Sequence, residues 1–388
     1  MFKVRKDPWI SLRYWSFWTS QVMEGHAGMR LPTFWARNGI FHGLRLMGVV
    51  PGDRVLVPSY ICRAAVEPIL SAGADIDYYA VKQDCRIAFD DILPRIRPTT
   101  KALLAVHYFG FPQEIEDVRA LCVTQGLKLI EDCAHVLQGD IAGRPLGSFG
   151  DISVFSWRKF LPVYDGADLV LNTMTKETKL AWEEEPCLFT IKVAKNVLEG
   201  MLGFSVGGSL RRVMAEVGIL QSSGSDSAPL PLTVTAGTDA FDIRLVDWQM
   251  SRLSRWIKAH ADVPAIVAAR RNHYRYLQER LRKISRVKLL HAELPDGVCP
   301  WVLPFTVDEM DNAHLVLRRM GIPATTWGGV RPPQLPFGEY DEAEFLYDRL
   351  IFLPIHQSLT ESDLDLMAAS LSKICGYERQ DFANRHSV

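Results

Sequence analysis

The stretch LKLIEDCAHVLQGDIAGRPLGSFGDISVFSWRKFLPVYDGADLVL, Leu127–Leu171, decides the fold. Leu127–Ile130 is a short apolar run of buried-strand type that ends in the acid pair Glu131–Asp132. A polar, Gly-rich excursion follows. Ile152–Phe155 then reads as a second strand, which delivers Ser156 and Lys159 into a turn punctuated by Pro and Gly before a third strand at Asp168–Leu171. A carboxylate and a lysine thus stand at the C-terminal edges of successive strands. In an open α/β sheet that edge is where ligands bind.

The same alternation repeats on the N-terminal side. Arg37–Gly48 reads as a helix, Arg54–Pro58 as a strand, Ala64–Ala72 as a helix and Asp75–Ala80 as a strand. Ile92–Ile96 is helical in pattern, Ala102–His107 a strand and Glu114–Gln125 a helix. Repeated βα units of this length imply a mostly parallel sheet with helices on both faces. The Trp- and Phe-rich residues 1–34 lack clean periodicity and read as an arm packed on the main domain or on a partner subunit.

Beyond the stretch, residues 174–237 read as a variable insert, with the Ser/Gly/Pro cluster Gln221–Gly237 exposed or disordered. Leu245–Ile257 and Val263–Ile284 give long amphipathic helix patterns. The second is heavily basic, but Ile266, Tyr274, Leu277 and Leu281 form an apolar stripe, so its charges read as a solvated face rather than a nucleic-acid surface. From about Val287 a smaller α+β pattern begins. It has strands at Trp301–Val307, Pro323–Trp327 and Ile351–Pro354, and a helix through Asn312–Met320. A last helix starts at the capping box Thr360-Glu361-Ser362-Asp363 and ends before Gly376. The fold class is therefore α/β: a large domain over 35–245 on a mostly parallel mixed sheet, then a long helix and a small α+β C-terminal domain over 246–388.

The totals narrow the function. In 388 residues, 44 basic and 45 acidic side chains leave a net charge of −1, which gives no bulk electrostatic reason to expect nucleic acid or an anionic membrane as partner. Seven scattered cysteines with no C-x-x-C pair argue against a disulfide framework or zinc site and point to a reducing cytoplasm. No run approaches the ~20 apolar residues of a membrane span, and the N-terminus has no apolar run of signal-peptide length.

Lys159, set among Phe155, Trp157, Phe160 and Leu161, is placed for partial desolvation, which lowers a lysine pKa and favours Schiff-base chemistry. An ordinary surface lysine beside Arg158 is the plain alternative. Asp132 at the end of a buried strand is costly unless it meets a cation, and a protonated pyridine nitrogen is such a cation; a turn aspartate is the alternative. Ala36-Arg37-Asn38-Gly39 opens the first helix, where N–H groups and the positive dipole end suit a phosphate, and Ser156 could add a hydroxyl. His107 and His135 lack a second ligand at helical spacing, so core or cofactor contacts suit them better than a metal. Gly200–Gly208 lacks the strand a dinucleotide site needs.

With these residues stand LRLMGVVPGDRVLVPSY (44–60), PILSAGADIDYYAV (68–81), AVHYFGFPQEIEDVRALC (105–122), LKLIEDCAH (127–135), GDISVFSWRK (150–159) and FLPIHQSLTESDLDLM (352–367). In that order they resemble the DegT/DnrJ/StrS family of pyridoxal 5′-phosphate (PLP)-dependent aminotransferases, strongly over residues 35–172 and more loosely over 245–375. The resemblance implies that the large domain binds PLP and that the protein is a homodimer with active sites at the subunit interface. It implies that Lys159 carries the cofactor as a Schiff base and that Asp132 pairs with the pyridine nitrogen. His135 would lie by the ring hydroxyl, and Ser156 with the amides of Arg37 and Asn38 would hold the phosphate. The implied reaction moves an amino group from an amino acid donor such as glutamate to a keto acceptor, most often a nucleotide-linked keto sugar.

The Ser156–Lys159 segment is shorter than the family's usual one and Gly166-Ala167 stands for its Gly-Gly, and two further positions depart from the family pattern. An aromatic ring usually stacks on the cofactor where Cys62 stands, leaving Tyr60 or another residue to substitute, and Asp247 aligns with a segment through which the partner subunit normally reaches the phosphate. His356, at a strand end of the small domain, either faces substrate or is a satisfied structural histidine. Two other functions stay open on the residues. One is a PLP enzyme acting on a non-sugar ketone or catalysing elimination. The other is a catalytically silent member with a regulatory role.

Overall fold

The computed structural model describes residues 3–9, 11–16, 27–173, 182–183 and 241–385. Most of the expected insert 174–237, including Gln221–Gly237 and Gly200–Gly208, lies outside the described residues.

In chain order the first part contains β1 (Met29–Thr33), α1 (Ala36–Leu46), β2 (Arg54–Pro58), α2 (Arg63–Ser71), β3 (Asp75–Tyr79), α3 (Phe89–Arg95) and β4 (Thr100–Val106). It continues with α4 (Ile115–Gln125), β5 (Lys128–Cys133), the short ribbon β6 (Asp140–Ile141) and β7 (Arg144–Pro145), β8 (Ile152–Ser156) and β9 (Ala167–Leu171). The main sheet has seven strands in the order β1-β9-β8-β5-β4-β2-β3. β3, β2, β4, β5 and β8 run parallel, while β9 is antiparallel to both its neighbours. The α/β reading therefore holds, with β1 as an added edge. That edge comes from the stretch expected to be an arm: Met29–Thr33 pairs with Leu171–Ala167.

Glycines let α1 lie close on this sheet. A Cβ at Gly43 would stand 2.2 Å from Ile152 Cδ1, and one at Gly39 3.1 Å from Val154 Cγ1. These two positions, four residues apart, face the sheet together. α1 thereby presents its N-terminus at the strand edge that carries Ser156 and Lys159.

β5 is longer than the apolar run suggested and takes in Glu131 and Asp132. Successive strand residues point to opposite faces, so the two acids do different work. The buried Glu131 carboxylate accepts backbone N–H bonds from Phe149 (2.9 Å), Gly150 (2.9 Å) and Gly147, and one from His107 Nε2 at 3.0 Å. It ties the loop before β8 to the sheet. Burial alone would raise its pKa, but His107 and the loop amides outweigh that and hold it below the usual value.

The C-terminal part contains α5 (Arg252–Ala259), α6 (Val263–Leu281), β10 (Val287–Leu289), β11 (Val302–Val307), α7 (Ala313–Arg319), α8 (Asp341–Arg349), β12 (Ile351–Pro354) and α9 (Glu361–Arg385). β10-β11-β12 form an antiparallel sheet. The expected strand Pro323–Trp327 is reduced to a single bridge, Thr325 with Phe352. α5 starts later than its apolar pattern suggested, because Ser251 caps it through the Ser254 N–H. The Thr360–Asp363 capping box forms in both directions, at 2.9 and 3.2 Å, but α9 runs on past Gly376.

The described arm residues lie on their own chain. Lys3 N–H donates to Gly321 O, Trp9 N–H to Ser358 Oγ and Ser16 N–H to His260 O. Among the described residues no helix is long and apolar enough to cross a membrane.

Candidate active site

The C-terminal edges of β2, β4, β5 and β8 form one rim. From β2 the chain moves to β3 on one side, whereas from β4 it moves to β5 and β8 on the other, the arrangement that opens a crevice at a strand edge. Asp132 and Lys159 both reach this rim. Asp132 is 7% exposed; its Oδ1 accepts the Ala134 N–H at 2.9 Å, and no cation lies within ion-pair distance among the described residues. Burial raises its pKa, with the Ala134 amide, Lys159 and His107 pulling the other way.

Lys159 is partly buried in the short turn Trp157–Lys159 that follows β8. Its Nζ makes no hydrogen bond among the described residues and rests 3.8 Å from the centroid of the Trp301 ring. Burial lowers its pKa to about 8, against the fields of Cys62 and Asp132 and with that of Arg158. A buried acid without a cation and a buried amine without a hydrogen bond stand in each other's field. That donor set fits a group carrying a ring cation at one end and a carbonyl at the other.

His135 stacks on Trp301 with ring centroids 4.1 Å apart, and its Nδ1 accepts the Phe109 N–H at 3.3 Å. The ring proton is therefore on Nε2. Burial, and then the Lys159 charge, hold the imidazole far below its ordinary pKa, so it is a neutral donor.

The third part of the expected site is mixed. α1 begins after Trp35, which provides no side-chain cap. The guanidinium carbons of Arg37 and Arg158 lie 5.0 and 5.8 Å from the centroid of the Trp35 ring, whose buried Nε1 has no partner among the described residues. Two cations and an orphan donor at a helix N-terminus fit a phosphate. Ser156 lies at the end of β8, 9% exposed. Asn38 does not fit the expected amide role as well. Its N–H donates to Trp35 O at 3.0 Å and its side chain to Leu245 O and Val246 O at 2.6 and 3.2 Å, so it holds segment 245–246 on α1. Asp247 follows that segment, its Oδ1 3.4 Å from His42 Nε2 of the same chain.

Tyr60 is fully buried between Trp327 (4.9 Å), Tyr347 (4.9 Å) and Tyr108 (5.6 Å). Cys62, where the family usually has the stacking ring, stands in the field of Lys159 and Asp132. It is partly buried, and burial raises its pKa while Lys159 and Arg37 lower it and Asp132 raises it. His356 is 3% exposed, its Nε2 meets Arg5 O at 3.2 Å, and burial drives its pKa down to about 3.

The described residues also contain a cluster of His107, Glu131 and Cys133 with ligand atoms within 4.8 Å of one another. His107 Nδ1 accepts the Gln113 N–H at 3.0 Å and Glu131 is taken up by the loop amides, so these atoms already serve the fold. Sequence reasoning missed Trp301, Arg158 and Arg270. Trp301 left no signal, since nothing in its surroundings ties it to β5 or β8. Arg158 was visible as the neighbour of Lys159, and Arg270 sits inside the apolar stripe of α6, four residues from both Ile266 and Tyr274.

Residues 36–174 match the model of the DegT/DnrJ/EryC1/StrS aminotransferase family. Over this segment the chain is similar to that family. The GDP-perosamine synthase of Vibrio cholerae is 34% identical over 130 residues, which cover 33% of this chain and 35% of that protein. The chain thus spans about a third of the length of the curated relative it matches. Among solved structures, the aminotransferase TlmJ from Streptoalloteichus hindustanus superposes with a TM-score of 0.61 at 20% identity, over 89% of this chain and 85% of that one. NtdA from Bacillus subtilis, solved with bound cofactor PMP, gives 0.63 at 18% identity over 89% and 73%. At such identities the superpositions show a shared fold.

Proposed function

We propose that the chain is a PLP-dependent aminotransferase of this family that takes an amino group from an amino acid, glutamate, and delivers it to a keto acceptor, a nucleotide-linked keto sugar. The observation that carries the reading is the pairing at the rim: a lysine whose amine is partly neutral at physiological pH and a buried aspartate without a cation, each within the other's field. The similarity to the GDP-perosamine synthase of Vibrio cholerae supports the acceptor class.

When bound, PLP supplies an electron sink that makes the proton next to a substrate nitrogen acidic. The chain's own residues would do the rest. Asp132 would hold the ring nitrogen in its protonated form. His135 would offer its Nε2–H to the ring oxygen. Arg37, Arg158 and Ser156 at the α1 end would hold the phosphate. Lys159 would hold the cofactor, and its amine, with a pKa near the working pH, is suited to accepting and giving up a proton at Nζ. Trp301 would shield that nitrogen from water. The same reading makes the protein a cytoplasmic homodimer with the site at the subunit interface.

Borohydride reduction of the purified protein followed by peptide mass spectrometry tests the proposal. A pyridoxyl group on Lys159 is expected. Its absence after incubation with PLP, or its presence on another lysine, would sink the assignment.

A further inference from the structure

Arg270 is 1% exposed, and no carboxylate lies within ion-pair distance of it among the described residues. Instead its guanidinium donates to three neutral acceptors on three separate segments. Nε reaches Gln357 Oε1 at 3.1 Å, after β12; Nη1 reaches Trp301 O at 3.0 Å, before β11; Nη2 reaches Lys159 O at 3.2 Å, in the turn after β8. Gln357 extends the clamp, its Nε2 donating to Phe160 O at 2.8 Å. The consecutive carbonyls of Lys159 and Phe160, and the backbone carbonyl of Trp301, whose indole touches Nζ, are thus held by Arg270 and the Gln357 bonded to it.

A leucine would suit this position on the α6 stripe better if burial were all it served, since burying a guanidinium without an anion is costly. Only arginine offers donors spread in a planar fork that can span three acceptors. We propose that Arg270 is a positioning residue for the Lys159 amine: by pinning the Lys159 and Trp301 carbonyls to one guanidinium, it fixes where Nζ stands against the indole. The inference rests on the reading that Lys159 carries the cofactor. Arg270 touches neither the reacting nitrogen nor the indole ring and acts through the backbone.

The test compares full-length wild-type protein with Arg270→Lys and Gln357→Leu. Each is incubated with PLP at a series of pH values and reduced with borohydride, and the rate of pyridoxyl incorporation at Lys159 is followed by mass spectrometry. A lysine keeps the charge but cannot span the three acceptors. Incorporation in Arg270→Lys should slow on the order of 10- to 100-fold, the scale of a misplacement of about 1 Å. Its pH profile should also move upward toward that of an ordinary lysine. A residue that merely supported the fold would leave that profile where it was. Wild-type rate and profile in folded Arg270→Lys would overturn the assignment while leaving the cofactor reading intact. No pyridoxyl group at Lys159 in the unaltered protein would overturn both. Should Arg270→Lys fail to fold by circular dichroism, Gln357→Leu, which removes one acceptor and keeps the guanidinium, decides by the same two results.

Discussion

The Lys159 Nζ stands 3.8 Å from the centroid of the Trp301 ring, and the same indole stacks on His135 at 4.1 Å. One aromatic side chain from the loop before β11 therefore touches two groups carried by the main sheet. Removing it has two opposed effects on the lysine. Loss of the ring face forfeits roughly 1–2 kcal/mol of cation–π attraction, which favours the neutral amine. Loss of cover lets in water, which favours the charged one. Burial is the largest cause of the lowered pKa of about 8, and at about 1.4 kcal/mol per unit the shift from an ordinary lysine exceeds the cation–π gain. Trp301→Ala should therefore raise the Lys159 pKa. The pH profile of Lys159 acylation, read peptide by peptide, should have its midpoint near 8 in the wild-type protein and higher in the variant.

Asp132→Asn separates function from fold. An asparagine oxygen can still accept the Ala134 N–H, and a buried charge without a partner cation is lost, so the melting temperature should hold or rise. Under the aminotransferase reading turnover should still fall, by about 100- to 1,000-fold, the usual scale for removing a fixed charge at a reacting group. Loss of stability in parallel with activity would place Asp132 in the fold rather than the chemistry.

Lys159→Ala should abolish turnover and pyridoxyl labelling together. The phosphate-binding end at α1 and Asp132 stay intact, so equilibrium dialysis should still detect bound PLP, more weakly than in the wild type. A variant retaining even a tenth of wild-type turnover would remove Lys159 from the mechanism.

Much of the site was legible because it depends on strand ends. β2, β5, β8 and β9 announced themselves as apolar runs with Gly or Pro beside them, and a parallel sheet places the ends of β5 and β8 side by side. Asp132 and Lys159 came together for that reason. What stayed hidden depends on approach from elsewhere in the chain. Trp301 reaches Lys159 across more than a hundred residues of sequence, and no local pattern encodes that. Tyr60 and Cys62 are two residues apart on the same turn; only the aromatic neighbours Trp327 and Tyr347 decide that Tyr60 turns inward. Arg270 is the instructive case. Reading α6 by its net charge assigned all its arginines to solvent, whereas the spacing Ile266, Arg270, Tyr274 placed one of them on the buried stripe.

Glu131 makes the last prediction, because its role can be separated from chemistry by pH. Its folded-state pKa lies below the usual carboxylate value, mainly through His107 and the loop amides acting against burial. Its contribution to stability is thus complete above the unfolded-state pKa of about 4.5 and drains away as pH falls through the lower folded value. Glu131→Gln replaces one accepting oxygen with an NH₂ group that faces backbone donors of Gly147, Phe149 or Gly150. An unsatisfied buried donor costs about 1–3 kcal/mol, more where a charged bond is lost. The variant should be destabilised by roughly 2–4 kcal/mol at neutral pH in urea unfolding, and the gap should narrow as the pH is lowered below 4.5. A gap that stays constant down to pH 3 would show that the carboxylate charge does not hold the loop before β8.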